Sequence, residues 1–260
     1  MKLNKVVPLL VTTYAFTFLT PLHAAPAPVF TPEQEAQIGK IAADYLVQHP
    51  EILVEVSQKL QQQQQERQQM AMTARVMDNQ AALLQDADTP SVGPAKAKVA
   101  VIEFFDYQCI YCSRLAPGLE QVMKSRPDVR FIFREWPIFA SKWEASSTAA
   151  QRGIDVWKQK GAEGYLKYHN GIYHTGHTEG ELTTADIESA ARAAGATELK
   201  PVDYTAVLGK NDALAQALGL SGTPGLIVMP AQNATPKNIT VFAGLASPQQ
   251  ILSAIQKAQN

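Results

Sequence analysis

The sequence predicts an α/β domain with a helical insertion, preceded by an α-helical oligomerisation stalk. Three observations predict it. Two short apolar runs, 99–105 and 129–133, flank a helical pattern near residues 110–123. Strand signals are absent over about 141–220 and return at 225–229 and 239–242. From Thr31 to about Leu84 the chain is glutamine-rich and lacks cysteine and tryptophan. The order β-α-β, helical block, β-β-α builds a layered α/β domain, and the glutamine-rich stretch lies outside it.

The elements follow in chain order. Lys2 and Lys5 precede a mostly apolar run, Val6–Leu19, then Thr-Pro-Leu-His-Ala-Ala. A short basic start, an apolar stretch of this length and small residues at its end read as a secretory signal peptide, residues 1–24. The run is interrupted by Pro8 and is short for a membrane span. A periplasmic or secreted protein is expected, in a compartment that permits disulfides. Beyond residue 24 the chain carries 21 basic against 24 acidic residues, a formal charge of −3, which favours neither nucleic acid nor an anionic membrane as partner.

Residues 25–88 read as the stalk. Thr31-Pro-Glu-Gln34 is a helix start, with Thr31 as cap and Pro32 in the first turn. Ile38, Ile41, Ala42, Tyr45 and Leu46 share one helical face, and His49-Pro50 ends this helix and opens another. Leu53, Val56, Leu60, Gln63, Arg67, Met70, Ala74, Met77, Ala81 and Leu84 are spaced alternately three and four apart. That is a heptad seam with a polar centre, which a second copy of the chain would cover, giving a homo-oligomer. A solvated spacer packed only at its ends is the plainer alternative. The Pro/Gly-containing stretch 88–94 reads as a joint, and residues 89–260 as the α/β domain with its insertion at about 141–220.

Val99–Phe105 is apolar apart from Glu103, as in a strand buried on both faces. Leu115, Leu119, Val122 and Met123 mark the helix after it, and Val129–Phe133 a strand parallel to the first if that helix is the crossover. In the helical block Thr183/Thr184 starts one helix, Gly195 stops it, and another runs from about Val202 to Leu218. Ser247-Pro-Gln-Gln250 is a capping box that opens a last helix with Ile251, Leu252 and Ile255 inward.

Both cysteines of the chain, Cys109 and Cys112, lie between the first strand and the helix after it. A zinc clip needs four ligands, and the candidates to complete it are His169, His174 and His177, which read as surface residues near a helix end. A structural disulfide across two residues closes too small a loop to remove much entropy from the unfolded chain. A reactive dithiol fits the position better. The unpaired N–H groups of a helix start favour the Cys109 thiolate, and Cys112 one turn on can attack the sulfur of Cys109 in a mixed disulfide. No metal or organic cofactor is needed. Glu103 is a costly acid in a buried strand, expected to have a raised pKa and to relay a proton to or from Cys112. An edge position with its carboxylate in water is the alternative. Pro224, in Ser221-Gly-Thr-Pro-Gly225, is consistent with either a cis bond or a trans turn.

The stretches Val101–Cys112, Phe133–Phe139 and Gly222–Val228, in that order, resemble the DsbA-like thiol–disulfide oxidoreductases of the thioredoxin fold, over about residues 89–258. The resemblance implies that Cys109 is the exposed nucleophile, Cys112 the resolving thiol and Glu103 the buried acid. Thr223 and Pro224 would form a cis-proline loop facing Cys109 and the substrate backbone, with Ile110 and Tyr111 also contacting substrate. The Ile110-Tyr111 pair in place of Pro-His, and Thr223 before the proline, resemble disulfide isomerases rather than strong oxidases. Residues 45–53 with the glutamine-rich helix are similar to the ScsC-type oligomerisation extension, which implies a dimer or trimer. A disulfide isomerase acting on unfolded or misfolded cysteine-containing proteins, with a membrane redox partner, is therefore expected. A DsbA-like dithiol oxidase, or a periplasmic copper- or zinc-binding tolerance protein, is the alternative.

Overall fold

The structure is a computed structural model and describes residues 29–260, so the expected signal peptide lies outside the described residues. The chain divides into two units between Lys59 and Leu60.

In the first unit, α1 (Pro32–Gln48) starts with the expected capping box: the Thr31 side chain accepts from Gln34 N–H, and the Gln34 side chain accepts from Thr31 N–H at 2.9 Å. The helix ends at His49, whose ring lies 4.4 Å from that of Tyr45. α1 buries no residue, and Ile38, Ile41, Tyr45, Leu46, Leu53 and Val56 are all exposed. α2 (Glu51–Asp78) crosses the division.

In the second unit, Gln61–Gln68 of α2 are exposed, but Thr73 and Val76 are buried. The heptad seam does not continue as one helix to Leu84. α2 ends at Asp78, Asn79 turns its side-chain amide back to the Arg75 carbonyl at 2.8 Å, and a short α3 (Gln80–Leu84) follows. Val76, Leu83 and Leu84 join a core cluster with Ala100, Ile102, Leu214 and Leu218. The division between units therefore lies well before residue 88, because this end of the expected stalk is part of the α/β domain's core. A buried ion pair fastens it. Arg134, 1% exposed, meets Asp86 at 2.6 Å and Asn211 Oδ1 at 3.1 Å, and also donates to the Ala82 carbonyl.

The sheet has the order β1-β3-β2-β4-β5. β2 (Val99–Phe105) runs parallel to β3 (Arg130–Glu135) and antiparallel to β4 (Gly225–Pro230), which pairs antiparallel with β5 (Thr240–Ala243). The parallel pair and the crossover helix α4 (Ile110–Ser125) are as the sequence predicts. β1 (Ser91–Val92) is an addition: the expected joint supplies an edge strand antiparallel to β3. A strand of two residues is too short to carry an alternation signal. Between β3 and β4 come α5 (Glu144–His174), broken at Gly161, then α6 (Thr184–Ala193) and α7 (Thr205–Leu218). The closing α8 (Pro248–Gln259) has the predicted box at Ser247 and Gln250.

All seven residues of β2 are buried, since both sheet faces are covered. Alternation along a strand then assigns its side chains to faces. Ala100, Ile102 and Phe104 join α2, α3 and α7; Val99, Val101 and Phe105 join α4, α5, α6 and α8. Glu103 takes the second face, the one that carries α4 and the cysteines. Among the described residues, no helix is long and apolar enough to cross a membrane.

Candidate active site

The register at one end of the sheet assembles the site. Phe104 of β2 pairs with Gly225 of β4, so the segment leaving β2 toward Cys109 meets the segment entering β4 from Thr223 and Pro224. The Thr223–Pro224 bond is cis. Cys109 is the N-cap of α4, with extended φ/ψ, and its Sγ donates to the Thr223 carbonyl at 3.3 Å. The carbonyl of Thr223, not its side chain, thus meets the thiol. Both cysteines are free thiols.

The two thiols have opposite surroundings. The Cys112 thiol, with the N–H groups of Cys112 and Tyr111 at the helix start, lowers the pKa of Cys109 to about 6 from the ordinary 9.0. Burial pushes Cys112 far up. At neutral pH the pair therefore holds one nucleophilic sulfur and one protonated one. Cys109 is only 4% exposed, so the nucleophile expected to be open to solvent is recessed; Tyr111, 51% exposed, stands beside it with the Arg114 guanidinium 5.6 Å from its ring centroid. Ile110 is half-buried.

Glu103 lies inside, 2% exposed, and neither carboxylate oxygen has a hydrogen-bond partner among the described residues. The edge alternative is thereby corrected: β2 is central and both its faces are covered. Burial first, then the charge of Cys109, raises Glu103 to about 8. An acid that binds its proton more tightly when folded stabilises the fold at low pH and loses that contribution as pH rises from about 4.5 to about 8. Glu103→Gln removes this loss. The variant should gain on the wild type between pH 5 and 8, by roughly 3 kcal/mol, in urea titrations of the reduced proteins. Cys109 contributes the opposite slope in both proteins, so the difference between them reports Glu103 together with its coupling to Cys109. Parallel pH profiles would show that Glu103 does not titrate there.

A second buried acid went unassigned in the sequence. Glu135, at the end of β3, has a side chain on the same sheet face as Glu103, since Glu103 pairs with Phe133 and Phe105 with Glu135. Its Oε1 accepts from the Tyr165 hydroxyl at 2.8 Å and the Tyr107 hydroxyl at 3.2 Å, and burial raises its pKa well above the carboxylate range. A Cβ at Gly153 would lie 2.6 Å from that oxygen, so only glycine leaves room. His169 belongs to this interior: it is 2% exposed, ringed by Phe105, Phe133 and Tyr173 at about 5 Å, and burial lowers it to about 4. The expectation of three surface histidines fails here, because His169 points into the aromatic core, while exposed His177 pairs with Asp186 at 3.0 Å and His174 is exposed at the end of α5. Among the described residues, no three His, Cys, Asp or Glu side chains gather as metal ligands would.

A strand, a dithiol at a helix start, a facing cis-proline loop and a covering sheet with an inserted helical block define a thiol–disulfide oxidoreductase of the thioredoxin class. The comparisons agree. Residues 85–245 match the family described as Thioredoxin, and residues 34–67 match the copper resistance protein ScsC N-terminal domain. The chain belongs to the thioredoxin-like family, with an ScsC-type N-terminal region. It is similar to BcfH of Salmonella enterica Typhimurium, at 41% identity and a TM-score of 0.75, covering 88% of this chain and 97% of that one. It is also similar to a linker-deletion mutant of Proteus mirabilis ScsC, at 26% identity and a TM-score of 0.62, covering 90% and 98%. One curated relative is the Na(+)/H(+) antiporter NhaA 3 of Salinispora tropica, 31% identical over 67 residues; the match takes in 24% of this chain and 10% of that protein.

Proposed function

We propose that the protein is a periplasmic disulfide isomerase in which Cys109 attacks and Cys112 resolves. The observation that carries it is the placement of an activated Cys109 at the start of α4, over a protonated Cys112, with Glu103 buried on the same side of the sheet. The Cys109 thiolate attacks one sulfur of a substrate disulfide; a mixed disulfide forms and the other substrate sulfur leaves as a thiolate. A different substrate thiolate can then attack the mixed disulfide, freeing Cys109 with no net redox change. Alternatively Cys112, its proton passing to the ionised form of Glu103, attacks Cys109 Sγ; the Cys109–Cys112 disulfide forms and the substrate sulfur leaves as a thiolate. Thr223, Pro224, Ile110 and Tyr111 form the rim that a substrate backbone would meet. The Ile110-Tyr111 pair and Thr223 support reshuffling over oxidation. The exposed apolar residues of α1 and of Glu51–Lys59 support a homo-oligomer, a dimer or trimer whose several sites hold one misfolded substrate.

The test is refolding of scrambled ribonuclease by catalytic amounts of full-length protein. Recovery of ribonuclease activity is expected. A protein that oxidises reduced ribonuclease but leaves the scrambled form inactive would be a dithiol oxidase instead.

A further inference from the structure

The peptide plane that joins Gln108 to Cys109 is pinned at both ends. Its N–H, that of Cys109, donates to the Asp106 carbonyl at 3.0 Å, and its carbonyl, that of Gln108, accepts from Glu179 N–H at 2.9 Å. The Gln108 side chain repeats the contact one residue on, with Oε1 accepting from Gly180 N–H at 2.8 Å. Gln108 N–H is also engaged, by Asp106 Oδ1 at 2.8 Å, and the residue is fully buried.

The other side of the clamp is built for this. Glu179 has φ 52° and Gly180 φ 104°. These left-handed positions turn both N–H groups toward Gln108, and a non-glycine residue adopts such a φ at a cost of about 1 kcal/mol or more. Trp143 backs Gly180 so closely that a Cβ there would lie 2.6 Å from the indole nitrogen. Asp106 is held from the start of the same block, accepting from Ser146 Oγ at 2.7 Å and Phe139 N–H at 2.9 Å, and Tyr173 donates to the Asp106 carbonyl at 3.2 Å.

We propose that Gln108 is a positioning residue through which the turn Thr178–Glu181 of the helical insertion fixes the backbone of Cys109. The proposal rests on Cys109 being the reactive thiol. The plane that Gln108 holds sets the direction of the Cys109 side chain relative to the N–H groups of Tyr111 and Cys112 and to the Thr223 carbonyl. Released from the clamp, the plane rotates and the sulfur leaves the N–H donors of Tyr111 and Cys112. The insertion thus contributes to reactivity without touching sulfur.

The experiment uses the reduced full-length protein and reads Cys109 directly, by thiolate absorbance against pH and by iodoacetamide alkylation at pH 6. Gln108→Met keeps the volume and removes the acceptor; Gly180→Ala strikes the same contact from the other side. Each should move the thiolate midpoint upward by about half to one pK unit and so slow alkylation at pH 6, close to the wild-type midpoint, by roughly 2–5-fold. The double variant should do no more than either single one, because both remove one contact. Glu103, Cys112 and Tyr173, the titratable groups facing the pair from β2, α4 and α5, are kept throughout. Folded variants with wild-type alkylation and titration would overturn the proposal, as would fully additive losses. If the methionine variant does not fold, Gln108→Asn, one methylene short of Gly180, carries the same expectation. A Cys109→Ser control separates the two claims: if it alkylates like the wild type, the reading of Cys109 fails and not the clamp.

Discussion

Cys109→Ser should abolish thiol–disulfide exchange, while Cys112→Ser should leave the first attack intact and let the mixed disulfide accumulate. A serine hydroxyl is scarcely ionised at neutral pH, whereas the Cys109 thiol, at about 6, is mostly thiolate. Loss of the nucleophile should lower the rate by on the order of 10³-fold or more. Cys112 does not start the reaction, since burial holds its proton. Without it the mixed disulfide is released only by another thiol of the substrate or by an external thiol. Mass spectrometry after acid quenching should find Cys112→Ser joined to substrate and Cys109→Ser free. Trapping on Cys109→Ser would reverse the assigned roles.

The second large effect concerns where the chain can be cut. Removing residues 25–59 should leave a folded catalytic unit, whereas removing 25–88 should unfold it or nearly so. The longer deletion strips Val76, Leu83 and Leu84 from the core, each worth about 1.5–3 kcal/mol of burial. It also takes Asp86 from Arg134, and a buried charge left unpaired costs about 3–5 kcal/mol. Together these rival the whole stability of a typical domain. Circular-dichroism melting should show a cooperative transition for the shorter deletion and little or none for the longer. If α1 and Glu51–Lys59 carry the assembly, light scattering on the shorter deletion gives a monomer mass, and scrambled ribonuclease is refolded more slowly. Equal melting of both deletions would show that α3 is dispensable.

The contrast between these cuts marks where the sequence was legible. Val99–Phe105, the cysteine pair and the helix starts at Thr31, Thr183 and Ser247 are local signals, and each stands where its residues predicted. The spacing of three and four up to Leu84 was equally regular, yet at its end Ala74, Met77 and Ala81 of the seam are exposed, while Val76 and Leu83, outside the seam, join Leu84 in the core with β2 and α7. Packing on the α/β domain, which periodicity does not see, chose another face. Glu135 was in view within Phe133–Phe139, but an acid at the end of a strand reads as solvated. Its burial depends on Tyr165 and Gly153, which are far along the chain. His169 was misjudged for the same reason: its neighbours come from β2, β3 and α5. Gln108 carries no signal of its own in the sequence, since its partners are the turn residues Glu179 and Gly180, far along the chain.

Glu135 and Gly153 share one small volume, and this limits how the protein can change over generations. With a Cβ at 153 only 2.6 Å from the Glu135 oxygen, alanine at 153 is tolerable only beside a smaller residue at 135. A shorter residue at 135 alone would leave the Tyr107 and Tyr165 hydroxyls without their acceptor. A lineage crossing between these pairs would have to pass through an intermediate that is either overfilled or underbonded. The two positions should therefore be inherited as a unit, although neither touches sulfur.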